Sequence, residues 1–102
     1  MQAHLATDKA SYSDGEKVRI AVTLRDGQRP VAEATVYVQV GDPNGMSEMG
    51  AASTGADGES SLTYDTDTRR HGAGTYQVEV TASKDGYEPA KDSTAFEVTD
   101  AK

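Results

Sequence analysis

Five turn-forming dipeptides punctuate the chain, at Asp14-Gly15, Asp26-Gly27, Asn44-Gly45, Asp57-Gly58 and Asp85-Gly86. Gly, Asn and Asp tolerate positive φ, so each pair marks a tight reversal. Between the reversals the apolar residues alternate with period two. Val18, Ile20, Val22 and Leu24 fall on one face, opposite Lys17, Arg19, Ala21 and Thr23. Val36, Val38 and Val40 alternate with Thr35, Tyr37 and Gln39, and Tyr76, Val78, Val80 and Ala82 alternate with Gln77, Glu79, Thr81 and Ser83. Leu62 with Tyr64 and Phe96 with Val98 are shorter versions. This pattern belongs to strands with one buried and one wet face. No window keeps helical spacing beyond a turn, because Gly interrupts every candidate.

The reading is one all-β domain of 102 residues, with strands near 3–8, 16–26, 31–41, 47–54, 59–66, 74–84 and 91–99. Seven short strands separated by turns predict an immunoglobulin-like Greek-key β-sandwich rather than a closed barrel. Residues 46–54 are rich in Gly, Ala and Ser, which suits a sheet edge. Residues 100–102 read as linker. Only 35% of residues are apolar, and Trp and Cys are absent. The clustering of the apolar residues nevertheless marks a chain that folds.

Several segments together resemble known modules. Ser11-Tyr12-Ser13-Asp14-Gly15-Glu16-Lys17-Val18 resembles the opening of macroglobulin-type and related bacterial Ig-like domains, and Asp26-Gly27, Pro30-Val31 and Ala34-Thr35-Val36 resemble their second hairpin. Asp42-Pro43-Asn44-Gly45, Thr54-Gly55-Ala56-Asp57-Gly58, Gly74-Thr75-Tyr76-Gln77-Val78 and Phe96-Glu97-Val98 follow in order, and the second half is also similar to the Ig-like repeats of invasin-type adhesins. The resemblance implies a spacer, an adhesive module or an ancillary domain beside an enzyme, on a cell surface or secreted. It carries over no catalytic residue and no cofactor. The partners it implies are neighbouring domains of a longer chain, with a protein or glycan ligand as a further option, and the isolated domain is expected to be a monomer.

Charge narrows the partners. Seventeen acidic against ten basic residues give a formal net charge of -7. Phosphate binding needs a basic face, so nucleic acid and anionic membranes are disfavoured. No run is apolar enough for a membrane-spanning helix or a signal-peptide core, so a signal would have been removed or would lie upstream. The absence of cysteine excludes disulfides, thiol catalysis and Cys-ligated zinc.

The residues able to carry chemistry are few. Arg69-Arg70-His71 is the only basic cluster, placed in the loop before the sixth expected strand, where Arg forks could meet a carboxylate. The plainer reading is a solvated loop balancing Asp65 and Asp67. Tyr37, outward by its alternation, and Tyr87, in a loop, are candidates for a glycan or protein contact, although a sugar platform usually wants more rings. Asp57, Glu59, Asp65 and Asp67 raise calcium, but Asp65-Thr66-Asp67-Thr68-Arg69 lacks the third acidic position and the Gly of an EF-hand loop. No metal site is expected. Tyr76, just after Gly74, is read as a tyrosine corner, a structural role. His4 and His71 are the only histidines and no nucleophile or phosphate-loop motif occurs, so no enzyme activity is expected. A Lys–Asn crosslink is disfavoured because Lys17 is on a wet face and Asn44, the sole Asn, is in a turn.

Overall fold

The computed structural model describes residues 1–99, apart from the side chains of Arg70 and His71; the stretch read as linker lies outside the described residues. The elements are β1 (Gln2–Thr7), β2 (Ser11–Ser13), β3 (Lys17–Asp26), β4 (Arg29–Pro30), β5 (Thr35–Gly41), β6 (Ser47–Ser53), β7 (Glu59–Asp65), one helical turn α1 (Thr68–His71), β8 (Gly74–Ser83) and β9 (Ala90–Thr99). They form two facing sheets. In one, β3 is flanked by β1 and by β7, with β4 paired to its end; the other has the order β2-β9-β8-β5-β6. All-β sandwich architecture is thus as the alternation predicts.

The strand count is nine rather than seven, and the difference has a physical cause. β1 and β2 run in one direction, as do β4 and β5, so the nine segments make only seven crossings of the sandwich. The first and third crossings each break midway and change sheets. β1 pairs antiparallel with β3, whereas β2 pairs parallel with β9. Likewise β4 pairs with β3, and β5 with β6 and β8. Hence residues 31–34, expected inside a strand, form the sheet switch, and Glu33 takes a left-handed φ of 57° there. The expected loop at Arg69-Arg70-His71 is instead a helical turn, begun by Asp67, whose carboxylate accepts from Arg69 N at 3.1 Å. Residues 46–54 contain β6, and it does lie on an edge.

Inward positions match the alternation. Val18, Ile20, Val22, Leu24, Val36, Val38, Val40, Tyr76, Val78, Val80, Ala82, Phe96 and Val98 are buried. The core divides along its length. Four rings, Tyr12, Tyr64, Tyr76 and Phe96, gather at one end; Tyr76 stacks on Phe96 at 5.1 Å, and Tyr12 meets Phe96 edge-on at 5.4 Å. The other end is aliphatic, around Leu24, Val31, Val36 and Ala82. Edge-to-face and offset pairs add about 0.5–1.5 kcal/mol each beyond area burial, so the aromatic end is the more firmly specified.

Candidate functional site

The sandwich has two poles. The near pole holds residue 1 and the turns at 27–28, 55–58 and 85–86; the far pole holds the turn at 14–15, the turn at 43–44, α1 and the end of β9. At the far pole the loops are tied to one another. Asp14 Oδ1 accepts from Thr68 N at 2.9 Å, the buried Thr66 hydroxyl donates to Glu16 O at 2.6 Å, and Gly72 approaches the Asn44 side chain. The Tyr76 hydroxyl donates to Gly72 O at 2.6 Å, which is the tyrosine corner expected from its place at the head of a strand. Burial, and then the charges of Asp42, Asp14 and Asp67, push its phenol up, so it stays a protonated donor.

An open groove of about 730 Å³ runs beside α1, lined by Asp14, Glu48, Asp65, Asp67 and Arg69 among others. Arg69 is exposed, and Arg70 and His71 share its helical turn. Asp65 lies 4.0 Å from Lys17, a fully solvated pair worth little. The candidate residues do not converge. Tyr37, 45% exposed, stands on the outer face of β5 opposite Thr81 and Ala51; Tyr87, 38% exposed, is in the near-pole turn. Arg69 is at the far pole. The acidic residues raised for calcium also separate, because Asp57 caps the near-pole turn by accepting from Glu59 N at 3.0 Å while Asp65 and Asp67 lie at the far pole. Among the described residues no three His, Asp or Glu side chains form a metal-ligand set.

The most developed polar constellation lies where the first crossing changes sheets, and composition gave no sign of it. Asp8 N donates to Arg19 O at 3.1 Å, and Arg19 N returns a bond to Asp8 Oδ1 at 3.1 Å. The Tyr12 hydroxyl donates to the same carboxylate oxygen at 2.5 Å and accepts from Lys9 N at 2.8 Å. Lys9 Nζ meets Glu16 Oε2 at 2.7 Å, and Glu16 Oε1 accepts from Ser13 N. These donors hold the Asp8 carboxyl below its ordinary value, Tyr12 first; burial, and then Asp8, raise the Tyr12 phenol. Further along, Asp92 reaches across the seam and accepts from Leu5 N at 2.8 Å. The second switch is held by Thr54, whose buried hydroxyl donates to Val31 O at 2.7 Å and accepts from Ala34 N at 3.0 Å. The Ser11-Tyr12 and Asp8-Lys9 sequences carry a local signal for a turn, but none for the partners across the sandwich.

No family model matches the chain, and no curated protein matches it either. Solved structures do. A tetra-tandem repeat from the extending region of a large adhesion protein is 24% identical with a TM-score of 0.74, over 95% of this chain and 24% of that one. The chain therefore spans about a quarter of that four-repeat structure. The superoxide reductase (neelaredoxin) of Ignicoccus hospitalis also reaches a TM-score of 0.74, at 6% identity, over 97% of this chain and 81% of that one. An alkylpurine DNA glycosylase of Pseudomonas fluorescens, bound to DNA containing an abasic site analogue, gives 0.63 at 21% identity, over 95% and 30%. An adhesion repeat, a reductase and part of a DNA repair enzyme share this fold, so the likeness fixes architecture and leaves function to the residues.

Proposed function

We propose that this domain is a non-catalytic structural module, a spacer or adhesive repeat threaded between neighbours in a larger surface or secreted protein. The observation that carries the reading is where the described chain begins and ends. Seven crossings are an odd number, so residue 2 enters at the near pole and residue 99 leaves at the far pole, along a molecule of 47 × 21 × 16 Å. Each copy placed in series adds nearly its full length, which is the geometry of a stalk. The resemblance to macroglobulin-type and invasin-type modules and the likeness to an adhesion-protein repeat support the same reading.

The side chains favour it over an enzyme. His4 is on the outer strand β1, and the backbone of His71 lies in α1 at the far pole. The test is small-angle scattering of one, two and four copies in tandem. The maximum dimension should grow by close to 47 Å per copy. Growth of less than half that would mean that the copies fold back on one another, and the spacer reading would fail.

A further inference from the structure

We infer that β6 is a self-docking edge, which pairs antiparallel with β6 of a second copy of this chain about a two-fold axis at Gly50. The pairing stands on the edge itself; that it joins opposed stalks rests on the spacer or adhesive reading.

The outer edges of the two sheets are not equally guarded. At β1 the Leu5 amide is taken by Asp92. β7 has acids at both ends, and its self-pairing about Leu62 would set Glu59 against Asp65, a like-charge contact. β2 and β4 are only three and two residues long. β6 has none of these protections. Its seven residues hold one charge, Glu48, with no Pro and an unbroken register against β5. That register decides which groups point outward. Asp42 N donates to Met46 O at 2.8 Å, and Thr54 N to Ala34 O at 3.1 Å, so the even-numbered residues of β6 bond inward to β5. Ser47, Met49, Ala51 and Ser53 therefore present their amides and carbonyls along the open edge.

A second copy fits this edge better than an unrelated peptide, because the strand is complementary to itself. Turned about Gly50, Met49 meets Ala51, Ser47 meets Ser53 and Glu48 meets Ala52 of the second copy. No like charges face one another, and each outward amide finds a carbonyl. On the outer face Tyr37 lies opposite Ala51, so the pair sets Tyr37, Ala51 and Met49 of the second copy in one row. Among the described residues, Tyr37, Met46 and Met49 are three of the four large apolar side chains left exposed, and all lie on β5, β6 or the turn between them.

Antiparallel pairing also fixes the partner's orientation. β6 is one of the seven crossings, so paired copies point their far poles in opposite directions. Stalks reaching toward each other from opposed surfaces meet this way; stalks rising side by side from one surface do not. A strand of seven residues is about 24 Å long and covers less than the roughly 800 Å² per partner of a stable complex. Single copies therefore meet transiently, and a series of copies holds by avidity.

The chain has no cysteine, so one introduced thiol reads the register. Gly50→Cys sets two thiols face to face on the axis, with its Cβ at an ordinary 3.8 Å from the Leu62 methyls. Mild oxidation should link this variant into dimers. Ser53→Cys is the control: in the paired register it faces Ser47, which leaves two such thiols about 20 Å apart and unlinked. Sedimentation of four copies in tandem should show concentration-dependent pairing that strengthens with salt, since each copy carries a net charge of -7. Ala51→Pro removes an outward amide without touching the ladder to β5, and should weaken pairing about tenfold, because symmetry removes two bonds at once. Met49→Lys keeps the backbone whole and should weaken it too, whether or not the proline variant folds. Equal linkage of Gly50→Cys and Ser53→Cys, or pairing untouched by Met49→Lys, would overturn the docking edge. Tandem copies that extend fully in scattering yet never pair would retire the edge alone and keep the spacer.

Discussion

The two lateral seams of the sandwich are built differently. On one side the first crossing belongs to both sheets, and backbone and carboxylate bonds stitch it to β3 and to β9, with Asp92 supplying Leu5 N with the acceptor an edge strand lacks. On the other side β6 and β7 are consecutive in sequence but sit in different sheets, each unpaired along its outer edge. Packing is open there: Gly50 faces the Leu62 methyls, where an added Cβ would stand 3.8 Å away, and a gap of about 120 Å³ lies beside Ile20 and Val38, with Met49 67% exposed. A seam closed by ladders is insensitive to side-chain volume, whereas a seam closed by packing depends on every methyl group.

The largest effect expected from this contrast is at the turn that pins the loose seam. Gly58 has a φ of 77°, and an added Cβ would come within 2.5 Å of Leu24 O and 2.9 Å of Pro30 Cβ. Gly58→Ala should cost about 3 kcal/mol in denaturant unfolding, from the left-handed backbone and the clash together. Gly15→Ala, with a φ of 88° and open space around it, should cost only about 1 kcal/mol. Equal losses would show that the β6–β7 turn is not held against β3 and β4.

Next in size is the stitched seam. Asp92→Ala strands the Leu5 amide beside a core residue and should cost about 1–2 kcal/mol. Amide exchange should report the loss as faster opening of β1, with the β8–β5 pairing unaffected; uniform acceleration would mean that the seam does not open on its own.

The loose seam should respond in the opposite direction. Gly50 has no positive φ, and a Cβ there would meet the Leu62 methyls at 3.8 Å, an ordinary contact. Gly50→Ala should therefore stabilise by about 0.5–1 kcal/mol, through a stiffer unfolded chain and a partly filled gap. A loss would show that the two edges already touch.

The smallest effect is that of pH on the carboxylate bonds around Tyr12. Asp8 is held below its ordinary 3.8 chiefly by the Tyr12 hydroxyl and then Arg19 N–H, and Glu16 below 4.5 chiefly by Lys9 and then Ser13 N–H. Both carboxyls bind fewer protons folded than unfolded, so their contribution is complete above those ordinary values and disappears as pH falls through the depressed ones. Being exposed, they should change the unfolding midpoint only slightly, and Tyr12→Phe should flatten the acid limb. An unaltered limb would remove Asp8 from these bonds.

Much of this fold is legible locally. Whether Val18 or Arg19 faces the core follows from a period of two, and burial agrees residue by residue along β3, β5 and β8. The tyrosine corner was readable because strand head and glycine are neighbours in sequence. The proposed contact residues are a different matter: Tyr37, Arg69 and Tyr87 each read as surface positions, but nothing local could say that Arg69 lies at the opposite pole from the Tyr87 turn.

What only the tertiary structure decided is which strand continues in which sheet, and which of several identical dipeptides matters. Asp14-Gly15 and Asp57-Gly58 read alike, yet only Gly58 lies against another backbone. Asp8 and Asp92 look like two more surface acids in a chain of net charge -7, yet each accepts a backbone amide from another crossing. Alternation is a property of one strand and its solvent, so the sequence carries it outright. A sheet switch depends on hydrogen-bond partners far away in the chain, and these exist only once the two sheets have closed on each other.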